Sequence, residues 1–405
     1  MARSKKAAPG RAAASVQVPE LALSPDILEA LDLDLTRGGV VGEERAKKIT
    51  YLALNTKLCD QPVSLALKGV TGAGKSYVLK HVLRLFPKKT TYAEFSSASA
   101  KAIVYAKGDY QHKFIVFHEA AGITHEDTKT ALKVLVSDGR LIHKTVENIN
   151  GRFTPRTVRK YGPTGLILTT TRAKLDAEID SRVLSVPITD TPEQTRAILL
   201  SMTTHGRAEH RAVPTERWRA FHEWLAQQDN RVDIPYDTCL AELVTFGPHE
   251  WRRLFRHILT LIRAHAMLHQ RTRDRKNGLI VASLMDYAAV RSLLAELLAV
   301  QVGADVTKEI RETVEAVKRL TTFELSVPAT AVKRELKIRA LSTVQRRIGK
   351  AIELGYLQDL RDYRSPGMQI APRRDLPEPT NVLPTRAQLR ACMRSGRKHA
   401  AAVQE

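Results

Sequence analysis

The chain has little cysteine and no long apolar run. Its 405 residues include three cysteines, Cys59, Cys239 and Cys392, which are far apart in sequence and odd in number. This argues against a disulfide framework and against a CxxC zinc site, so a reducing cytoplasm is the expected location. No run approaches the roughly 18 apolar residues that a membrane-spanning helix needs. We therefore expect no membrane segment.

Basic residues outnumber acidic residues in the sequence. The sequence has 64 Lys and Arg against 43 Asp and Glu, a formal net charge of +21. Such an excess predicts a polyanionic partner, with nucleic acid first among them. Hydrophobic residues make up 43% and charged residues 26% of the chain, which excludes wholesale disorder. The length predicts two or three domains.

Composition and hydrophobic periodicity divide the chain into six parts. Strands alternate with helices in residues 61–190, which predicts an α/β core built on a parallel sheet with helices on both faces. The six predicted parts are a disordered basic arm (1–24), a helical lead-in (25–60), the α/β core (61–190), a helical domain (191–305), a unit of three helices and two short strands (306–372), and a basic tail rich in Pro and Arg (373–405).

A phosphate-binding motif, G-x-x-x-x-G-K-[ST], occupies residues 69–76 between a predicted strand and a predicted helix. In such a loop, backbone N–H groups surround phosphate oxygens, Lys75 reaches the outer phosphates and Ser76 ligates Mg²⁺. A loop that binds nucleotide without hydrolysing it is the alternative. The predicted cofactors are ATP and Mg²⁺, and the predicted binding residues are Gly69, Val70, Thr71, Gly72, Ala73, Gly74, Lys75 and Ser76.

A candidate catalytic acid follows the apolar segment 114–117. Hydrolysis needs a carboxylate at the end of a strand near the phosphates, so Glu119 is the predicted base. His118 precedes it, where an aspartate that helps to hold magnesium is usual, which leaves that contact to water or to Ser76 alone. The pair His118-Glu119 does not begin a zinc-protease motif, because H-E-x-x-H requires histidine at position 122, which is Gly122.

Two further candidates follow in the α/β core. The apolar run 166–171 ends in three threonines, of which Thr169 or Thr170 can lie between Glu119 and the outer phosphate; buried threonine is also an ordinary strand residue. Further along, Arg182 can reach the nucleotide of a neighbouring subunit and stabilise transition-state charge. The alternative for Arg182 is a surface ion pair with Asp180.

The order of these elements (P-loop, acid-ending strand, hairpin, threonine-ending strand, Ser-Arg, helical lid) resembles the AAA+ ATPases. Within them it is similar to the branch that contains the minichromosome maintenance and superfamily 3 helicases, and to the ATPase part of primase-helicase-like proteins of phages and mobile elements. The resemblance covers roughly half of the chain, and no primase domain is visible. It implies a ring-forming homo-oligomer, such as a hexamer, with Thr170 and Arg182 in catalytic roles.

The same resemblance gives a role to a predicted hairpin. Two β-like segments, 141–146 and 153–160, flank an Asn-Gly pair. In the helicases that the chain resembles, this hairpin enters the ring channel and grips the nucleic-acid backbone, which here implies binding of single-stranded DNA. The alternative is a solvated charged face. The predicted contacts are Lys144, Arg152, Arg156, Arg159 and Lys160, which only Glu147 opposes.

Residues 306–372 resemble a winged helix-turn-helix. Predicted helices at 307–320, 328–336 and 342–354 precede two short strands. In that fold the third helix lies in the major groove of duplex DNA, and Ile348 and Ile352 would face the core. Contact with another protein is the alternative. The predicted DNA-binding residues are Ser342, Thr343, Gln345, Arg346 and Lys350.

Taken together, these features predict an ATP-driven DNA translocase or helicase in prokaryotic or mobile-element replication. One rival hypothesis is an ATP-switched replication initiator, loader or regulator without unwinding activity. Another is an inactive P-loop scaffold whose winged helix does the work.

Overall fold

The structure of the chain is a computed structural model. It describes residues 17–402 except 124, 150–151, 173–174, 206–211, 245–250, 306–307, 323, 362–366, 374–375 and 377–381. In chain order the strands are β1 (Leu65–Lys68), β2 (Tyr92–Phe95), β3 (Lys113–Phe117), β4 (Arg140–Ile149), β5 (Arg152–Tyr161), β6 (Thr164–Thr170), β7 (Leu184–Pro187), β8 (Val232–Asp233), β9 (Arg275–Lys276), β10 (Leu279–Val281), β11 (Val327–Pro328), β12 (Leu357–Asp359) and β13 (Gln369–Pro372).

Helices account for most of the remaining described residues. In chain order they are α1 (Ile27–Arg37), α2 (Glu44–Asn55), α3 (Lys75–Leu83), α4 (Lys88–Thr91), α5 (Ala100–Tyr105), α6 (Glu126–Asp138), α7 (Ala177–Asp180), α8 (Pro192–His205), α9 (Thr215–Ala226), α10 (Asp237–Leu243), α11 (Trp251–Leu268), α12 (Leu284–Asp305), α13 (Lys308–Leu320), α14 (Ala329–Glu335), α15 (Leu341–Glu353) and α16 (Arg386–Ala402).

The predicted parallel sheet is present. Five strands lie in the order β2-β3-β6-β1-β7, and every neighbouring pair is parallel. Alternate residues of the central strands enter two separate cores, one shared with α3 and the other with α5 and α6. The α/β architecture with helices on both faces of the sheet is therefore confirmed. Strand β2, a half-buried strand of four residues at the sheet edge, was not predicted from the sequence.

The hairpin is also present, and it is longer than predicted. Strands β4 and β5 pair with each other in antiparallel register from Arg140 opposite Tyr161 to Ile149 opposite Arg152. They form a two-stranded sheet of their own, separate from the five-stranded sheet, and the hairpin packs against α5 and α6. Residues 150–151 of its turn lie outside the described residues.

Residues 308–372 form a compact unit with its own core. Helices α13, α14 and α15 pack on a three-stranded sheet of order β11-β13-β12. Val314, Val332, Val344, Ile348 and Ile370 are buried in that core. The predicted order of three helices followed by two strands is found, and the short strand β11 completes the sheet.

The predicted tail contains α16, which packs back onto the helical domain. Val382, Leu383 and Leu389 are buried in the same core as α11 and α12. Cys392 of α16 forms a disulfide with Cys239 of α10. This single bond was not predicted from the sequence, which argued only against a disulfide framework, because it joins two segments 153 residues apart. The expected cytoplasmic location stays a prediction.

The described part of the predicted disordered arm, residues 17–24, packs on the fold, so the prediction of disorder is wrong for these residues. Residues 1–16 of the predicted arm lie outside the described residues. Further along the arm, Leu21 and Ala22 are buried in the main core. Among the helices in the described part of the chain, none is long and apolar enough to cross a membrane.

Candidate nucleotide and nucleic-acid sites

The phosphate-binding motif lies where the sequence predicts it, between β1 and α3. Gly72 and Gly74 have φ values of 86° and 89°, in the left-handed region that glycine adopts most readily. No heavy atom lies within 4 Å of a Cβ built on either residue, so backbone conformation rather than space requires glycine there. The loop ends at the N-terminus of α3, where free N–H groups and the helix dipole favour an anion.

Lys75 and Ser76 open α3 beside the loop. The Lys75 ammonium donates to the carbonyl oxygens of Gly69 and Val70 at 2.9 and 2.6 Å, and the residue is 6% exposed. Its charge is thereby held at the loop. Ser76 is exposed, and its hydroxyl lies 3.5 Å from the His118 carbonyl oxygen at the end of β3.

The carboxyl ends of three strands meet at this site because β6 lies between β1 and β3. The Thr169 hydroxyl donates to the His118 carbonyl oxygen. The Thr170 hydroxyl oxygen accepts a hydrogen bond from the Arg172 N–H at 3.0 Å, and both threonines are buried. The Gly69 N–H donates to the Thr170 carbonyl at 3.2 Å. Both candidate threonines thus lie next to the P-loop, and Thr169 links β6 to the residue before Glu119.

Glu119 lies just beyond the carboxyl end of β3, on the same side of the sheet as the P-loop, and is partly exposed. Among the residues that the structure describes, none bonds or forms an ion pair with its carboxylate. A carboxylate at this position is available to accept a proton from water.

His118 is bound to the neighbouring strand β2. Its Nε2 lies 3.1 Å from Oε1 of Glu94, which also accepts a hydrogen bond from Lys88. Partial burial raises the pKa of Glu94, but the hydrogen bonds from Lys88 and His118 outweigh it and lower that pKa overall. Glu94 was not among the predicted site residues, because β2 itself was not predicted.

Arg182 lies at the amino-terminal ends of the parallel strands, whereas the P-loop lies at their carboxyl ends. It precedes β7, and the next strand residue, Leu184, donates its N–H to Ser64 just before β1. Strand β1 has four residues, so about 13 Å separates the amino-terminal and carboxyl ends of the sheet's strands. The predicted alternative, an ion pair with Asp180, is not found. Asp180 pairs with Lys68 at 2.7 Å, and Arg182 Nε donates to the Ser137 hydroxyl at 2.8 Å.

Arg182 lines a cavity of about 740 Å³ at the amino-terminal ends of the strands. Burial, together with Arg253, lowers the pKa of Arg182. Burial and the charge of Arg253 also lower the pKa of His257 to about 4, so this histidine is neutral near pH 7. The positive charge of the cavity therefore comes from its arginines. Arg253 and Arg256 come from α11, and no sequence motif pointed to them. The titratable lining residues are Arg182, Arg253, Arg256, His257 and two acidic residues, Asp60 and Asp138.

The basic residues of the hairpin do not share one face. Strand register places Lys144 and Arg159 in one alternate set of positions, and both are exposed. Lys160 belongs to the other set; it is 6% exposed and donates to the carbonyl oxygens of Ala106 and Gly108. The prediction of a nucleic-acid contact at Lys160 is therefore corrected, because its ammonium anchors the base of the hairpin.

The two remaining predicted contact residues of the hairpin, Arg156 and Arg152, also occupy the second set of positions. The guanidinium of Arg156 lies 5.8 Å from the centre of the Tyr105 ring, in cation–π geometry. Arg152 pairs with Ile149 in the strand register, and its side chain lies outside the described part of the structure.

The third helix of the 308–372 unit, α15, has one open side. Ile348 is fully buried and Ile352 is half-buried, so both face inward as predicted. Lys350 forms a partly solvated ion pair with Glu353 at 3.0 Å. The predicted contact residues lie on the open side: Ser342, Gln345, Arg346 and Lys350 are exposed, and Thr343 is half-exposed.

No protein-family model matches the chain, and a search of curated proteins found no match.

Proposed function

We propose that the chain is a P-loop ATPase of the AAA+ type that forms a ring and uses ATP hydrolysis to move along DNA or to unwind it, in prokaryotic or mobile-element replication. One observation carries the proposal. Because β6 lies between β1 and β3, the carboxyl ends of these strands bring together Lys75, Glu119 and the β6 threonines. Arg182 lies at the opposite, amino-terminal ends of the strands.

ATP would bind with its phosphates at residues 69–76. The left-handed glycines, the N-terminus of α3 and the Lys75 ammonium all favour a polyphosphate there. Mg²⁺ bound with ATP would neutralise charge on the phosphates. Ser76 has an exposed hydroxyl that fits a magnesium ligand, whereas His118 supplies no carboxylate and interacts with Glu94. Phosphate oxygens and water would complete the coordination.

In this proposal Glu119 accepts the proton of the attacking water, and Thr170 senses the outer phosphate. The availability of the Glu119 carboxylate supports its role. Thr170 is supported by its contact with Gly69 of the P-loop. Arg182 cannot reach the P-loop of its own subunit, which lies at the other end of the strands. In a ring, it can reach the P-loop of a neighbouring subunit. A trans-acting arginine therefore fits this placement.

Two surfaces would bind DNA. The hairpin exposes Lys144 and Arg159 on one of its faces, where they can contact a single strand in a ring channel. The 308–372 unit has the element order of a winged helix, with Arg346 and Lys350 on the open side of α15 for duplex DNA. The net charge of +21 supports both interactions.

The second candidate is an ATP-switched initiator, loader or regulator. His118 favours it, because a metal site with one carboxylate fewer suits slow hydrolysis and a long-lived ATP state. Steady-state ATPase activity and oligomeric mass, each measured with and without single-stranded DNA, test the main proposal. We expect a DNA-stimulated ATPase in an oligomer, and strand displacement in a forked-duplex assay. An active ATPase without strand displacement or translocation would favour the switch, and no nucleotide binding would overturn both candidates.

A further inference from the structure

We propose that one face of the β4–β5 hairpin stacks the bases of a single nucleic-acid strand, rather than holding the sugar-phosphate backbone alone. The inference rests on the proposed function in assuming a nucleic-acid partner. We call this surface the outer face. It is formed by alternate residues of both strands that share one side in the register, including Ile142, Lys144, Val146, Phe153, Arg159 and Tyr161.

Large apolar side chains on the outer face are open to solvent. Phe153 is 78% exposed, Val146 is 59% exposed and Tyr161 is 42% exposed. A soluble protein rarely leaves several such side chains together on one surface unless they bind something. Strand pairing sets Val146 opposite Pro155 and Phe153 opposite Asn148. Phe153 and Val146 are therefore diagonal neighbours near the tip of the hairpin.

Positive charge alternates with these apolar groups. Lys144 precedes Val146 by two residues, about 7 Å along the strand, on the same face. Arg159 is opposite Ile142 and diagonal to Lys144. Glu147, the single acidic residue of the hairpin, pairs with Thr154 in the other set of positions. The outer face is thus an aromatic and aliphatic surface with cations at intervals and no carboxylate in its register.

The opposite face is already engaged by the protein. Lys160 donates to two carbonyls after α5, and the Arg156 guanidinium lies over Tyr105. His143 contacts the same tyrosine ring edge-on, with centroids 6.0 Å apart. These contacts fix the hairpin against α5 and leave the outer face as the side available to a ligand.

The chemistry of the outer face selects the ligand. Basic side chains attract phosphates, whereas Phe153 and Tyr161 offer flat surfaces to unpaired bases, which is the combination found in single-strand binding surfaces. A duplex keeps its bases stacked inside and offers little to an exposed phenyl ring. Pairing of two outer faces would bring Lys144 and Arg159 of one copy against the same cations of another, which disfavours this face as the contact between copies.

The test uses the full chain and three fluorescent probes: a single-stranded oligothymidylate, an abasic oligonucleotide of equal length, and a blunt duplex. Phe153→Ala should weaken oligothymidylate binding roughly 5- to 150-fold, the worth of one stacked base. It should leave binding to the abasic probe and the duplex unchanged. Lys144→Ala should weaken binding to both single-stranded probes and lower the salt slope by about 0.7 per phosphate contact. Thr157→Ala, an exposed neutral change on the same face, is the matched control.

Equal losses for the oligothymidylate and abasic probes, or no loss with Phe153→Ala, would overturn base stacking. A changed oligomeric mass in Phe153→Ala would instead assign the outer face to a contact between copies and would also overturn it. ATPase activity without DNA separates this inference from the proposed function. If the unmodified chain hydrolyses ATP but the probe pattern fails, only the stacking inference is wrong. If the pattern holds in a chain without ATPase activity, stacking stands and the ATPase proposal is wrong.

Discussion

Nε2 of His118 lies 3.1 Å from Oε1 of Glu94, so the side chain immediately before the candidate catalytic base is bound to the neighbouring strand β2. The main chain of the same residue faces the proposed nucleotide site, where its carbonyl oxygen accepts a hydrogen bond from Thr169 and lies 3.5 Å from the Ser76 hydroxyl. Position 118 thereby connects the edge strand to the P-loop through its side chain and backbone.

His118→Asp should lower the Mg²⁺ concentration needed for half-maximal ATPase activity by about tenfold. An aspartate at this position would be repelled by the Glu94 carboxylate that now binds His118, so it would turn toward Ser76, whose hydroxyl lies 3.5 Å from the carbonyl oxygen of residue 118. The measurement is a magnesium titration at saturating ATP. Glu94→Gln is the control, since it removes the partner of His118 without adding a carboxylate there, and we expect its magnesium dependence to be unchanged. An unaltered magnesium requirement in His118→Asp would mean that residue 118 does not contribute to the metal site.

Lys75→Ala and Glu119→Gln should have different effects. The first removes a charge that binds phosphate, so ATP binding should be lost. The second removes only the proton acceptor, so ATP should still bind while turnover falls by roughly two to four orders of magnitude. Equilibrium nucleotide binding and steady-state turnover distinguish the two. Lys80→Ala, an exposed lysine on the same helix, should change neither.

If Glu119→Gln hydrolyses ATP normally, the base lies elsewhere. Glu126 and Asp127, both exposed in the first turn of α6, are then the first alternatives.

Replacing both Arg346 and Lys350 with alanine should weaken duplex binding and flatten its salt dependence, by about 0.9 log units for each phosphate that the protein no longer neutralises. Anisotropy titrations at several salt concentrations measure both quantities. Arg319→Ala on α13 is the control, because this exposed arginine pairs with Glu335 outside α15. Unchanged affinity and slope in the double variant would make the 308–372 unit a protein-contact module.

Substitution is preferable to truncation in this experiment. Deleting the chain from residue 306 onward would also remove α16. Leu389 of that helix is buried in the main core, and Cys392 is bonded to Cys239. Loss of binding would then be confounded with loss of folding.

The Cys239–Cys392 disulfide should stabilise the oxidised protein by about 2–4 kcal/mol, since it closes a long loop in the unfolded chain. Denaturant unfolding with and without a reductant measures the difference. Cys239→Ala should abolish the effect of the reductant. Cys59→Ala should retain it, because Cys59 is a free thiol. A reductant effect that persists in Cys239→Ala would show that this pair is not its source.

The P-loop and the acid-ending strand were predictable because each is a local pattern. The face on which a basic hairpin residue lies was not predictable. Lys144 and Lys160 are alike in sequence, yet one is exposed and the other buried, because strand register assigns them to opposite faces and a shift of one residue would exchange them. The loop sequence alone does not fix that register.

Long-range contacts were missed for a related reason. Glu94 meets His118 only because the short strand β2 pairs with β3. Cys239 meets Cys392 only because the end of the chain returns past the 308–372 unit to the helical domain. Neither contact could be predicted from the local spacing of residues in the sequence.

The most direct measurement mixes two inactive proteins, Lys75→Ala and Arg182→Ala. The first should not bind ATP; the second should bind ATP but hydrolyse it poorly, since a trans-acting arginine contributes roughly 10³–10⁵ in rate. In a mixed ring, an intact P-loop on one subunit meets an intact Arg182 on its neighbour, so we predict that part of the ATPase activity returns. Native mass measurement verifies that mixed rings form. If verified mixed rings stay as inactive as either parent, or if Arg182→Ala alone is fully active, the nucleotide site is not shared between subunits.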